Sequence, residues 1–291
     1  MCSLNGAPDT LELYLCKARC LACEQAALDS ALKMAAYRKA IVRTPAENFS
    51  QGLTSALLGV PEYSRVLEQH ESYCIALERC GLELIRLEAD KRYPDSTFVE
   101  DTAVVTEKGA IITRPGAPSR LGEVDIIRKT LAQSYSQVNT IVQPATLDGG
   151  DVCQADDHFF IGLSHRTNEA GAEQLAQLLS SFAYTSSLIE IRDYSGLLHL
   201  KSGLAYLGQN RLIIDERLAV KKEFKDYDLV VVDEGEDHGA NCLLVNGHLL
   251  LADGFPKLER RLKQCDFHVT TLYTSEFQKM DGGLSCLSLR F

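Results

Sequence analysis

The residues of this chain that can do chemistry stand at comparable points of the sequence. Cys286 follows the turn Asp281-Gly282-Gly283 and opens a short apolar run, 287–289. A thiol there is a nucleophile if a base or cation lies close, and otherwise a small buried hydrophobe. His199, in Leu198-His199-Leu200-Lys201-Ser202, is the acid or base such a thiol needs, or else a satisfied core imidazole. Asp148 and Asp151 flank Gly149-Gly150, so either can orient an imidazole or simply cap a polar turn. Glu100 and Asp101, with Asp95 upstream, are either solvated acids at a loop end or, in a closed pocket, parallel acceptors for a planar guanidinium, whose five N–H donors match carboxylates. Arg120 and Arg166 are either surface arginines or the holders of a ligand carboxylate.

These residues are far apart in the chain, so the fold must gather them. Four hairpins are predicted: 102–105 with 110–113, 152–154 with 158–161, 204–207 with 212–214, and 242–245 with 248–251. The last turns on Asn246-Gly247, the strongest short hairpin signal. An apolar strand precedes each hairpin, at 82–87, 138–142, 188–191 and 229–232, and a fifth lies at 268–272. Helical stripes follow the hairpins, such as Val124, Ile127 and Leu131, or Leu175, Leu178, Leu179 and Phe182. The predicted unit is strand, loop, hairpin, helix, about five times over.

The fifth unit stops at Phe291 without a returning strand or helix, and the N-terminal part supplies both. Residues 39–43 read as a strand, and Tyr63, Val66, Leu67, His70, Cys74 and Leu77 form a helical stripe. A chain whose first elements complete its last repeat closes a ring and hides its sheet edges. The prediction is an α/β fold, a five-bladed α/β propeller over residues 38–291, with 1–37 as an N-terminal extension. In such a ring the loops before the hairpins converge near the axis, bringing the carboxylates, His199 and Cys286 into one pocket.

Composition narrows the partners. Thirty Lys plus Arg against forty Asp plus Glu give a formal charge of -10, which repels nucleic acid and anionic membrane and suits a small cationic ligand. No apolar run approaches the roughly 20 residues of a membrane-spanning helix. The N-terminus has neither a signal-peptide nor a transit-peptide pattern, so the expected compartment is cytoplasmic and the ten cysteines are expected as reduced thiols. Cys16, Cys20 and Cys23 have the C-x3-C-x2-C spacing of radical iron–sulfur enzymes, but Leu21, Leu28 and Leu32 mark a helical appendage rather than that scaffold. There is no G-x-G-x-x-G, P-loop or H-E-x-x-H pattern.

Pro94-Asp95, the run Phe98 to Val105, Ile112 to Arg120, Leu147 to Val152, Ser164 to Asn168, Leu198 to Ser202, Ala240-Asn241-Cys242 and Asp281 to Cys286 fall in one order over about residues 38–291. In that order they resemble the dimethylarginine dimethylaminohydrolase family, which is similar to the arginine-modifying enzymes with a five-fold α/β propeller. The resemblance implies hydrolysis of methylated arginine to citrulline without a cofactor, with Cys286 as nucleophile, His199 as general acid and base, and Asp148 orienting it. It further implies that Glu100 and Asp101 hold the guanidinium, that Asp95, Arg120 and Arg166 bind the amino-acid end, and that the backbone of Met280 borders the guanidine. Leu53, in the loosely matching segment 45–53, is the lid contact. The extension before residue 38 has no counterpart in the pattern.

Two other readings stand beside this one: arginine deimination or amidinotransfer on the same propeller, and a catalytically silent propeller that binds arginine derivatives. The expected assembly is a monomer or a homodimer. No metal is required, although Cys286 and His199 could take an inhibitory zinc.

Overall fold

The structure, a computed structural model, describes residues 37–291, and Cys16, Cys20 and Cys23 lie outside them. Fifteen strands form five three-stranded sheets. Strands β1 (Lys39–Arg43) and β2 (Glu83–Leu87) belong to the closing blade. Three further blades are β3 (Ala103–Thr106), β4 (Gly109–Ile112) and β5 (Val138–Thr140), then β6 (Val152–Ala155), β7 (His158–Leu163) and β8 (Thr185–Glu190), then β9 (Leu204–Tyr206), β10 (Arg211–Ile214) and β11 (Asp228–Val231). The next is β12 (Leu243–Val245), β13 (His248–Ala252) and β14 (His268–Leu272), and β15 (Leu289–Arg290) returns to β1.

Each of these four blades is an antiparallel hairpin plus one parallel strand. Parallel pairing requires a crossover, and the chain supplies it as helix α2 (Val124–Leu131), α3 (Glu169–Ser181), α4 (Glu216–Ala219) or α5 (Pro256–Gln264), numbered after α1 (Tyr63–Arg79) in the closing blade. This corrects the phase of the predicted unit. The strand before each hairpin completes the sheet of the preceding hairpin, so the blade runs hairpin, helix, strand. The third crossover also departs from expectation: between β10 and β11 the chain has room for one turn of α-helix and a 3-10 turn at Lys222–Phe224.

The ring closes as predicted. Leu289 and Arg290 pair antiparallel with Ile41 and Ala40, while Lys39 to Arg43 run parallel to Glu83 to Leu87. The amides of Arg38 and Lys39 donate to the carbonyl of Phe291 at 2.9 and 2.8 Å. Helix α1 crosses between β1 and β2 and buries Val66, His70, Cys74 and Leu77, with Tyr73 beside them. The fold is a five-bladed α/β propeller, and its core lies between each sheet and its neighbours and helices, as where Ile111, Phe159, Leu175 and Leu179 pack together. No helix among the described residues is long and apolar enough to cross a membrane.

Candidate active site

Five short 3-10 turns stand just before the four hairpins and the closing strand β15: Val99–Thr102, Gly149–Asp151, Leu200–Ser202, Asp237–Ala240 and Ser285–Leu287. A 3-10 turn leaves donors and acceptors unpaired at its ends. Here they are satisfied by the next turn around the ring. The Gly150 amide donates to Asp101 Oδ1 (3.0 Å), the Leu200 amide to Asp151 Oδ1 (3.0 Å), Asn241 Nδ2 to the Lys201 carbonyl (2.8 Å), the Ser285 amide to Asn241 Oδ1 (3.0 Å), and Ser285 Oγ to Glu100 Oε2 (2.7 Å). The circuit returns to the turn where it began and fixes the axial end of every blade. Cys286 therefore sits inside such a turn, and the short strand expected at 287–289 begins only at Leu289.

A cavity opens here, with about 350 Å3 of empty space that includes the open solvent at its mouth. Cys286, His199, Asp101, Asp95, Arg120 and Arg166 line it, along with Met280 and Leu53. His199 Nε2 lies 3.0 Å from Asp148 Oδ2 and 3.9 Å from Asp101 Oδ1. Burial opposes charge on this imidazole, but Asp101, Asp151 and Asp148 outweigh it and raise its pKa to about 9. Burial pushes the Cys286 thiol up to about 12, reinforced by the negative charges of Glu100 and Asp101. The resting pair at neutral pH is therefore a thiol and an imidazolium.

The two aspartates left open by the sequence have different tasks. Asp148 accepts from the Gly116 amide through Oδ1 (2.8 Å) and faces the imidazole through Oδ2. Asp151 is wholly buried and accepts from Ser164 Oγ and Thr167 Oγ1 at 2.6 Å each, while also holding the Leu200 amide beside His199. Burial raises its pKa to about 6. Between them, a Cβ on Gly150 would stand 2.8 Å from both Asp101 Oδ1 and His199 Nδ1, so the Gly pair is there for close approach of the imidazole. Gly150→Ala is expected to lower kcat by at least about tenfold, because misplacing a catalytic group by about 1 Å can cost a hundredfold, with a smaller loss in thermal stability. Steady-state kinetics alongside a melting curve checks this.

The cations also divide. Arg120 is buried and almost fully engaged: Nη1 pairs with Asp101 Oδ2 at 2.5 Å, Nε and Nη2 with Glu123 at 3.1 and 2.8 Å, and Nη2 also donates to the Phe98 carbonyl at 3.0 Å. Burial would raise Asp101, but His199 and Arg120 prevail and hold its pKa at about 2. Glu123, unrecognised in the sequence, is buried, and its pKa rises to about 7 because burial outweighs Arg120. Its position three residues beyond Arg120 is the signal that could have found it. Arg166 is half-buried, and among the described residues its one ion pair is with Asp148 at 3.9 Å, with Asp95 near enough to feel its charge.

Asp95 accepts the Leu53 amide at 3.0 and 3.2 Å, and burial raises its pKa. The segment after Leu53 is tied to the chain around Met280: Thr54 Oγ1 donates to the Lys279 carbonyl at 3.0 Å and the Ser55 amide to Asp281 Oδ2 at 2.5 Å. Asp281, Phe98 and Leu198 also line the cavity; the sequence motifs contain them but assign them no role in the site. Glu100 is not on the cavity wall. Its carboxylate is buried against Lys201, Ser285 and Arg290. Among the described residues, one ligand atom each of Asp101, Asp148 and His199 lie within 4.8 Å of one another.

A ring of repeats with a thiol, an imidazole and carboxylates at its axis is the layout expected of a guanidine-modifying propeller. The arginine deiminase family model matches residues 91–239. The chain is 41% identical over 256 residues to the dimethylarginine dimethylaminohydrolase of Pseudomonas aeruginosa, covering 88% of this chain and all of that one, and 34% identical over 255 residues to that of Streptomyces coelicolor, covering 87% and 96%. A solved mutant of the Pseudomonas aeruginosa enzyme complexed with citrulline superposes with a TM-score of 0.86 over 88% of this chain and 100% of that one, at 41% identity. The N-terminal domain of the cyanobacterial arginine dihydrolase ArgZ shares the fold, with a TM-score of 0.78 at 17% identity over 88% of this chain and 97% of that one. The chain belongs to the dimethylarginine dimethylaminohydrolase family.

Proposed function

We propose that this protein hydrolyses asymmetric dimethylarginine and monomethylarginine to citrulline, releasing dimethylamine or methylamine. The observation that carries the reading is the meeting of Cys286, the His199–Asp148 pair, Asp101 and Arg166 around one cavity. Asp101 keeps the guanidinium charged and electrophilic; the Cys286 thiol, made more acidic by that neighbouring cation, releases its proton to solvent, and the thiolate Sγ attacks the central carbon. As the bond to the methylated nitrogen breaks, that nitrogen takes a proton from His199 and leaves as the amine. His199, now neutral, takes a proton from water as the oxygen adds to the same carbon of the thiouronium. The C–S bond then breaks to free citrulline, the proton of the added hydroxyl passes to solvent, and the thiolate regains a proton to restore the resting thiol. No cofactor enters this scheme. The reading includes a cytoplasmic compartment, which suits the six free thiols among the described residues, and a monomeric or homodimeric assembly.

A thiol held near 12 is unreactive until a cation arrives, and the substrate guanidinium is that cation. In the free enzyme, alkylation of Cys286 by iodoacetamide is expected to be slow at pH 7 and still climbing at pH 10. A plateau near pH 8 would contradict it. His199 must be protonated to release the amine, so turnover is expected to fall as pH rises through about 9. Arg166, with its guanidinium otherwise nearly free, is assigned the substrate carboxylate. Arg166→Gln is expected to raise KM by about 10- to 100-fold, the loss of one charge-assisted pair, with kcat changed far less; initial rates across substrate concentration measure both. The function itself is tested by citrulline release from asymmetric dimethylarginine and from arginine, side by side. Release from the methylated substrate supports it, release mainly from arginine makes the protein a deiminase, and release from neither leaves a binding propeller.

A further inference from the structure

Glu100 is the buried carboxylate that closes the ring of turns. Its Oε2 accepts from Ser285 Oγ at 2.7 Å, in the residue immediately before Cys286, and its Oε1 pairs with Lys201 Nζ at 2.6 Å. The Lys201 carbonyl accepts from Asn241 Nδ2 (2.8 Å), and Asn241 returns to Ser285 twice, through Nδ2 to Oγ (3.1 Å) and through Oδ1 from the amide (3.0 Å). Glu100, Lys201, Asn241 and Ser285 thus form a closed four-membered circuit drawn from four blades. Arg290 borders it, with Nη2 3.5 Å from Glu100 Oε1 and Nη1 donating to the Ser285 carbonyl at 3.3 Å. Only 3% of Glu100 is exposed, and its acceptors face these partners rather than the cavity.

We infer that Glu100 is a positioning residue for the nucleophile, acting through Ser285 with Lys201 as its counter-charge, and that the guanidinium is held by Asp101 alone of the two. The inference rests on the hydrolase reading for its substrate but not for its effect on the thiol. A buried carboxylate with a lysine and a hydroxyl on its oxygens gains little by turning to a ligand, because breaking those contacts leaves buried charges without partners. What the circuit does for Cys286 is twofold. It pins the preceding residue at both its amide and its hydroxyl, which fixes the turn that aims the thiol, and it sets the Glu100 charge against Lys201, the cation that would otherwise favour the thiolate.

Glu100→Gln keeps the shape and removes the charge. In a Cys286→Ala background, calorimetric binding of asymmetric dimethylarginine is expected to change less than about threefold on Glu100→Gln, but to weaken between about ten- and a hundredfold on Asp101→Asn. With Cys286 present, Glu100→Gln is expected to move the iodoacetamide pH profile to lower pH, so that alkylation at pH 8 is about tenfold faster. Ser285→Ala, which deletes one hydroxyl and risks little in folding, is expected to lower kcat at least about tenfold at nearly constant KM. Glu100→Gln weakening dimethylarginine as much as Asp101→Asn would overturn the inference, and so would an unmoved alkylation profile or an unchanged kcat in Ser285→Ala. If the Cys286→Ala parent binds no dimethylarginine, the hydrolase reading fails instead, and the alkylation profile still decides the role of Glu100.

Discussion

Cys286→Ser is expected to lower citrulline release by on the order of 10^4-fold or more while leaving the affinity for asymmetric dimethylarginine within a few-fold. The size of the effect follows from the chemistry the cavity offers. His199 is charged at neutral pH, so it donates a proton and cannot accept one from a hydroxyl at the outset. A thiol can ionise when the guanidinium arrives. A serine hydroxyl, far less acidic, cannot do so in a site already crowded by Glu100 and Asp101. Binding survives because serine fills nearly the same space, and Asp101, Asp95 and Arg166 remain on the wall. Initial rates and calorimetry on the same preparation separate the two quantities.

Asp148→Asn comes next in size, with an expected fall in kcat on the order of 10^3- to 10^4-fold, the scale seen when the carboxylate orienting a catalytic imidazole is made neutral. Asp148 is the short partner of His199 Nε2, and it is itself held by the Gly116 amide. Losing its charge both frees the imidazole and favours the neutral form, so the alkaline fall in turnover should move below its place near pH 9. Asp151→Asn is the informative contrast. Asp151 holds the Ser164 and Thr167 hydroxyls and the Leu200 amide, so its loss is expected to cost about 1–3 kcal/mol of stability and far less in kcat. The pH–rate profiles and melting temperatures of the two variants distinguish orientation from support.

The fold was legible where signals are local. Asn246-Gly247 and the other hairpin turns, the stripe on α1 and the missing half of the fifth repeat together predicted the closed propeller. The phase of the blade was not legible, because which sheet a parallel strand joins depends on a crossover whose direction no local pattern encodes. The candidate site shows the same division. Cys286, His199 and Asp148 were found from their places in equivalent loops. Adjacent Glu100 and Asp101 looked like paired acceptors, yet the 3-10 segment Val99–Thr102, at about three residues per turn, sends consecutive side chains about 120° apart. Asp101 thereby reaches the cavity and Glu100 the neighbouring turns. Glu123 escaped notice because a surface helix start explains an acidic residue there equally well until Arg120 proves to be buried.

The account stands most directly on a covalent bond between Cys286 and the substrate carbon. Acid-quenching the enzyme during turnover of asymmetric dimethylarginine and mapping its peptides by mass spectrometry tests that bond. The predicted result is an amidine adduct, formed with loss of dimethylamine, on the peptide containing Cys286 and on no other cysteine, appearing before citrulline and gone when substrate is exhausted. Citrulline formed at full rate with Cys286 unmodified, or an adduct on a different thiol, would contradict it.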